Sequence, residues 1–259
     1  SSRKVEKPFV ASSADKQILK DKSHYRVANF TVDPMQDGST SYFHQSIGGY
    51  HAAKMGRYKE LFDYQIVKNN MRVLNMLNTK YFIIADQNNQ PQAQLNPDAY
   101  GNAWFVQNVL LVTSADQEMK TLDSLNTQLS AVIDKSKLLE NSTFNFQKDT
   151  TASISLDKYG VTELKYTSNA KTEQFAVFSE IYYRDGWNAY VDGELTPHYR
   201  VNYVLRGMRV PEGNHEIVFK FEPKVIQKGS FLSLSSYAFL FIISLGCILY
   251  DKKKNQEKA

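Results

Sequence analysis

Residues Gly229–Tyr250 read GSFLSLSSYAFLFIISLGCILY, and Asp251-Lys252-Lys253-Lys254 follows at once. No charged side chain occurs between Gly229 and Tyr250. At about 1.5 Å per residue the stretch is roughly 33 Å long, enough to cross a hydrocarbon core of about 30 Å. Eleven Leu, Ile and Phe residues favour insertion, and five serines partly offset them. Residues 229–250 are therefore expected to form a transmembrane helix. A buried core helix is the alternative, and such helices seldom run this long without a charge. Positive residues flanking a span stay cytoplasmic, so 251–259 is expected to be a cytoplasmic basic tail and everything before Gly229 extracytoplasmic.

The 228 residues before Gly229 suffice for one large domain or two small ones. Four lysines against Asp251 and Glu257 in the tail account for half of the net charge of +4. The remainder carries no basic stripe, which argues against a nucleic-acid partner. The single cysteine, Cys247, lies in the expected span. That excludes a cysteine nucleophile or a cysteine-based zinc site outside the membrane, and a disulfide-free outer region of this size suits a bacterial protein. Ser1–Lys7 is polar, with no apolar segment behind it to act as a signal peptide. Residues 1–22 are accordingly expected to link to a missing upstream membrane region, and the missing N-terminal transmembrane bundle of the same chain is an expected partner.

The expected fold class is α+β: an N-terminal α/β layer domain over 23–145, a small antiparallel β-sandwich over 150–225, then the helix. Tyr25–Phe30, Lys80–Ala85, Ala103–Val112 and Ala131–Ile133 read as strands. Helices are expected over 50–68, Met71–Leu77 and Ala115–Leu125, with the turn-rich Asp86–Pro97 between. The first helix is expected to start from Gly48-Gly49. In the second half, Ile217, Phe219 and Phe221 alternate with Glu216, Lys220 and Glu222, placing three apolar side chains on one strand face. Strands are expected near 153–157, 161–168, 174–183, 187–191, 195–201, 203–210 and 214–222. Asp192-Gly193 and Glu212-Gly213-Asn214 are hairpin turns, because those residues tolerate positive φ. The boundary is expected within Asn141–Asn145.

The sequence carries no nucleophile elbow, HExxH, P-loop or GxGxxG. No catalytic residue, metal site or cofactor is therefore expected. Two groups are candidate ligand contacts. Around Gly48 and Gly49, the glycines would leave backbone N–H groups free for an anion at a helix start, with His44, Tyr50, His51, Lys54 and Arg57 nearby and Tyr58 on the same face. The bland alternative is an ordinary solvated basic face. In the β region, Trp187, Tyr190, Tyr199 and Tyr203 could stack on a sugar, assisted by Arg200, Asn202 and Arg206. Such aromatics more commonly fill sandwich cores, and Trp187 is expected to be a core residue.

Three stretches together resemble one family: YFHQSIGGYHAAK (42–54), VLNMLNTKYFII (73–84) with Asn96-Pro97 and GNAWFV (101–106), and Phe178–Pro223 with SEIYYRDGWNAYVDG and NYVLRGMRVPEGNHEIVFKFEP. They are similar to the C-terminal extracytoplasmic part of YfhO-type bacterial membrane proteins, closest in wording to Bacteroidetes versions. The resemblance implies a polytopic protein of the GT-C glycosyltransferase class in the bacterial inner membrane. Such a protein takes sugars from polyprenyl phosphates and modifies cell-envelope glycopolymers. The catalytic acid of that class lies in an early loop between N-terminal spans, so this region is expected to be non-catalytic. Candidate ligands are a lipid-linked sugar or an envelope glycan. The competing expectation is a membrane-anchored binding or scaffold module without enzymatic activity.

Overall fold

The structure, a computed structural model, describes residues 9–138, 144, 146–147 and 149–256. The elements, in order, are α1 (Ser13–Ile18), β1 (Arg26–Asn29), α2 (Ser39–Phe43), α3 (Gly56–Leu61), α4 (Met71–Met76), β2 (Thr79–Ala85) and β3 (Pro91–Leu95). They continue with β4 (Ala103–Val106), β5 (Asn108–Val112), α5 (Ala115–Thr121), β6 (Ser130–Asp134), β7 (Ser153–Tyr159), β8 (Glu163–Ala170) and β9 (Gln174–Ile181). The chain then forms β10 (Trp187–Val191), β11 (Glu194–Thr196), β12 (Tyr199–Val201), β13 (Leu205–Val210), β14 (Gly213–Phe221) and α6 (Lys224–Gln256). The described residues among 1–182 and 188–220 form one compact unit, and those among 183–187 and 221–259 a second.

The first half of the larger unit has layered α/β character. β1 pairs parallel with β2, which turns antiparallel into β3, and β5 pairs parallel with β6 across α5. The second half forms two sandwich-like sheets, β11-β10-β14-β8-β7 and β12-β13-β9-β4. The aromatic rings of Tyr166 and Phe219 from the first meet Phe178 from the second edge-on, each with centroids 4.9 Å from the Phe178 ring. Such T-shaped contacts align positive ring edges with negative faces and tie the two layers together. At Gly207 a Cβ would stand 2.7 Å from Val201 Cγ1 and 2.8 Å from Phe175 Cε1, so only glycine lets the backbone approach this closely.

In the second unit α6 includes an apolar segment, Lys224–Cys247, long enough to cross a membrane, with no part of its apolar window buried against the protein. A core helix would bury one face, whereas this one exposes Phe231, Leu234, Phe241 and Ile242.

Several boundaries differ from expectation. The helix expected over 50–68 does not begin at Gly48-Gly49. Gly49 has φ +134, outside the right-handed region, and the helix starts at Gly56, then loosens into a π-helical turn over Phe62–Ile66. The single strand expected over 103–112 breaks at Gln107, because Gln107 and Asn108 both donate to the Leu129 carbonyl and send β4 and β5 into different sheets. The strand expected over 195–201 likewise splits between the two sheets around Pro197. Within the expected linker, α1 is held by a capping box between Ser12 and Asp15 and buries Ala14 and Ile18. α2 and β3 had no expected counterpart. The remaining linker residues 1–8, most of the expected boundary Asn141–Asn145 and tail residues 257–259 lie outside the described residues.

Candidate functional site

The Gly48-Gly49 segment lines a cavity of about 280 Å³, with His51 and Lys54 at its rim and Tyr58, Met35 and Ile47 in its wall. The glycines are required by close packing. A Cβ on Gly48 would lie 1.9 Å from the Pro34 carbonyl oxygen, and Gly49 donates its N–H to that same oxygen at 2.6 Å. Gly48 donates its N–H to Ser46 Oγ at 3.0 Å. Both glycine N–H groups are thus spent within the protein, and the expected backbone anion cradle at a helix start is not formed. Tyr58 anchors the floor by donating its hydroxyl to the Ile47 carbonyl at 2.6 Å, and burial pushes its phenol up to about 12.

The rim is different in character. His51 Nδ1 accepts the Ala53 N–H at 3.0 Å, so the neutral ring carries its proton on Nε2 and can donate there. Lys54 spends one of its three N–H donors on the Met35 carbonyl at 2.8 Å. Arg26 also lines the cavity, but its guanidinium donates to the carbonyls of Leu77 and Ser179 and pairs with Glu180 at 3.5 Å. His24 adds a second contact to Glu180 at 3.3 Å. Although burial opposes it, Arg26 and His24 hold the Glu180 carboxyl below its usual range.

The other expected residues of this group are placed elsewhere. The His44 side chain is buried and bonds Asp15 at 3.0 Å, while Tyr50 is 75% exposed. Arg57 pairs with the fully buried Glu118 at 3.2 Å and lies 4.5 Å over the Tyr203 ring. Glu118 also accepts the Tyr203 N–H at 3.0 Å. Burial raises its carboxyl above the usual range, outweighing that bond and the Arg57 charge. These contacts hold an unusual turn, in which Asn202 (φ 49) and Tyr203 (φ 73) both adopt left-handed backbone. Asn202 clamps Val132 of β6 from both sides, donating its N–H and accepting at Oδ1, each at 2.9 Å.

The expected sugar platform is not assembled on one face. Tyr190 lies in the β11-β10-β14-β8-β7 sheet, with the Lys220 ammonium 5.1 Å over its ring, whereas Tyr199 and Arg200 lie in β12. Asn202 and Arg206 are buried. Arg206 donates Nε to the Ile181 carbonyl at 3.1 Å, and burial lowers its pKa to about 10. Trp187 is half-buried, its ring 5.3 Å from Phe221. Arg26, Glu118 and Glu180 escaped sequence reasoning because each partner is distant along the chain. Among the described residues, no group of three or more His, Cys, Asp or Glu could hold a metal ion.

Residues 143–233 match the family model described as bacterial membrane protein YfhO. That stretch covers β7 to β14 and the first ten residues of α6. No curated protein and no solved structure matches the chain significantly.

Proposed function

We propose, from the premise that residues 143–233 are a YfhO-type membrane-protein region, that the folded part before α6 is the extracytoplasmic, non-catalytic portion of a polytopic glycosyltransferase-like protein. In this reading the parent sits in the bacterial inner membrane, its C-terminus is cytoplasmic, and it modifies envelope glycopolymers from polyprenyl-phosphate sugars. One observation carries it: the match runs without a break from the sandwich-like sheets into the candidate span. The buried carboxylates support an architectural role for this part. Glu118 and Glu180 are each committed to an arginine.

Two measurements test the reading. A reporter fused after Ala259 should signal from the cytoplasm; an external signal overturns the orientation. Membranes carrying the parent protein should transfer sugar from a polyprenyl-phosphate donor to an envelope polymer, and residues 9–223 alone should not. Should the parent fail to transfer while this region binds envelope glycan, the anchored binding or scaffold module is the better account. The cavity at Gly48-Gly49 is the observation that favours that second reading.

A further inference from the structure

We propose that the cavity beside Gly48-Gly49 binds a small anionic sugar, meaning a monosaccharide bearing a carboxylate or a phosphate. The inference stands whether or not the parent protein transfers sugar, because it rests on the cavity alone. Three donors line it with capacity to spare. Ser46 Oγ accepts from Gly48 N–H and keeps its own hydroxyl proton. His51 keeps its Nε2 proton, and Lys54 keeps two of three. Among the described residues no Asp or Glu lines the cavity, and the Glu180 carboxylate behind Arg26 is held by that arginine. An acceptor-only group matches the spare donors of Ser46, His51 and Lys54, and charge-assisted bonds to such a group are roughly twice as strong as neutral ones.

The wall sets the rest of the ligand. Met35, Ile47 and the Tyr58 ring present apolar surface suited to the C–H face of a sugar. At about 280 Å³ the cavity lies near the lower end of small-molecule sites, which suits one ring and excludes a long oligosaccharide. Tyr58 is fixed by its bond to Ile47, and Gly49 by its bond to the Pro34 carbonyl, so this part of the lining is set before the ligand arrives.

The experiment is calorimetric titration of the full chain in detergent with glucuronate, glucose 1-phosphate, glucose and inorganic phosphate. At least one anionic sugar should bind saturably, and at least tenfold more tightly than either glucose or inorganic phosphate. Which of the two binds better identifies the charged group. Binding should weaken as salt rises, since exposed charges are screened over about 8–10 Å at physiological ionic strength. Lys54→Met and His51→Phe should each weaken it at least fivefold while leaving the melting temperature within a few degrees. If one variant does not melt cooperatively, the other decides. The proposal is overturned by absence of saturable binding for both anionic sugars, by equal affinity for glucose or inorganic phosphate, or by unchanged affinity in the folded variants.

Discussion

His215 faces an acceptor with each ring nitrogen: Nδ1 meets the Asp192 carboxylate at 2.6 Å and Nε2 meets the Glu212 carbonyl at 2.8 Å. An imidazole satisfies two acceptors only when both nitrogens carry protons, so the geometry favours the imidazolium. The Asp192 bond, then the Glu212 bond, raise the His215 pKa, while the same ion pair lowers that of Asp192. Asp192 also accepts the Glu216 N–H at 2.9 Å, so this pair fastens the β10–β11 turn onto β14.

The pH dependence follows from these directions. A histidine whose folded pKa is raised stabilises fully below its unfolded value of about 6.5 and loses that contribution as pH rises through the folded value. The lowered Asp192 acts oppositely, stabilising above about 3.9 and fading as pH falls through its folded pKa. Asp192 is half-exposed, so the pair contributes about 0.2–1 kcal/mol. Thermal melting from pH 6 to 9 should show a small decline that His215→Gln abolishes. An unchanged decline in that variant would assign it to another group.

Arg57→Ala should destabilise by up to about 3–5 kcal/mol, because it removes the direct ion-pair partner of buried Glu118 and leaves only the more remote Arg200 charge. Glu118→Gln should cost less, since the amide oxygen still accepts from Tyr203. In the Glu118→Gln background, Arg57→Ala should lose most of its effect. Denaturant unfolding of the four-member cycle measures the coupling, and additive costs would show that the two side chains act independently.

Gly193 has φ +86 with open space around the position of a Cβ. Gly193→Ala should therefore destabilise by about 1–2 kcal/mol from backbone strain alone. A neutral result in chemical denaturation would mean that the turn relaxes to a right-handed conformation.

Ending the chain at Lys224 removes the candidate span and leaves the paired strands intact. That shortened chain should remain in the aqueous phase on detergent partitioning, while the full chain enters the detergent phase. Aggregation of the shortened chain would instead mean that the apolar helix completes a core.

Periodicity made much of this legible. Alternation in Ile217–Phe221 marked β14, and Asp192-Gly193 marked a turn whose two residues do adopt positive φ. The charge-free run marked a helix whose apolar window is not buried. Other features depend on contacts that no local pattern encodes. Gln107-Asn108 reads as a polar interruption within one strand and becomes a strand break where both N–H groups donate to Leu129, and Gly48-Gly49 reads as a helix start until Pro34 is seen against it. Arg57 belongs to the basic cluster by spacing and to Glu118 by folding. The cavity rim of His51 and Lys54 was visible in the sequence; its wall at Met35 was not, because that residue comes from a preceding turn.

β4 pairs with β9 from Ala103↔Phe178 to Val106↔Phe175, although some seventy residues separate them along the chain. It thereby caps one side of a strand whose residues are almost all buried. A piece cut to the YfhO-matched stretch begins after β4 and would carry β9 with that row of N–H and C=O groups unpaired. Such a bare apolar margin is a template for joining another chain. A piece starting after Val106 should therefore self-associate, whereas one starting upstream of Ala103 keeps this margin covered.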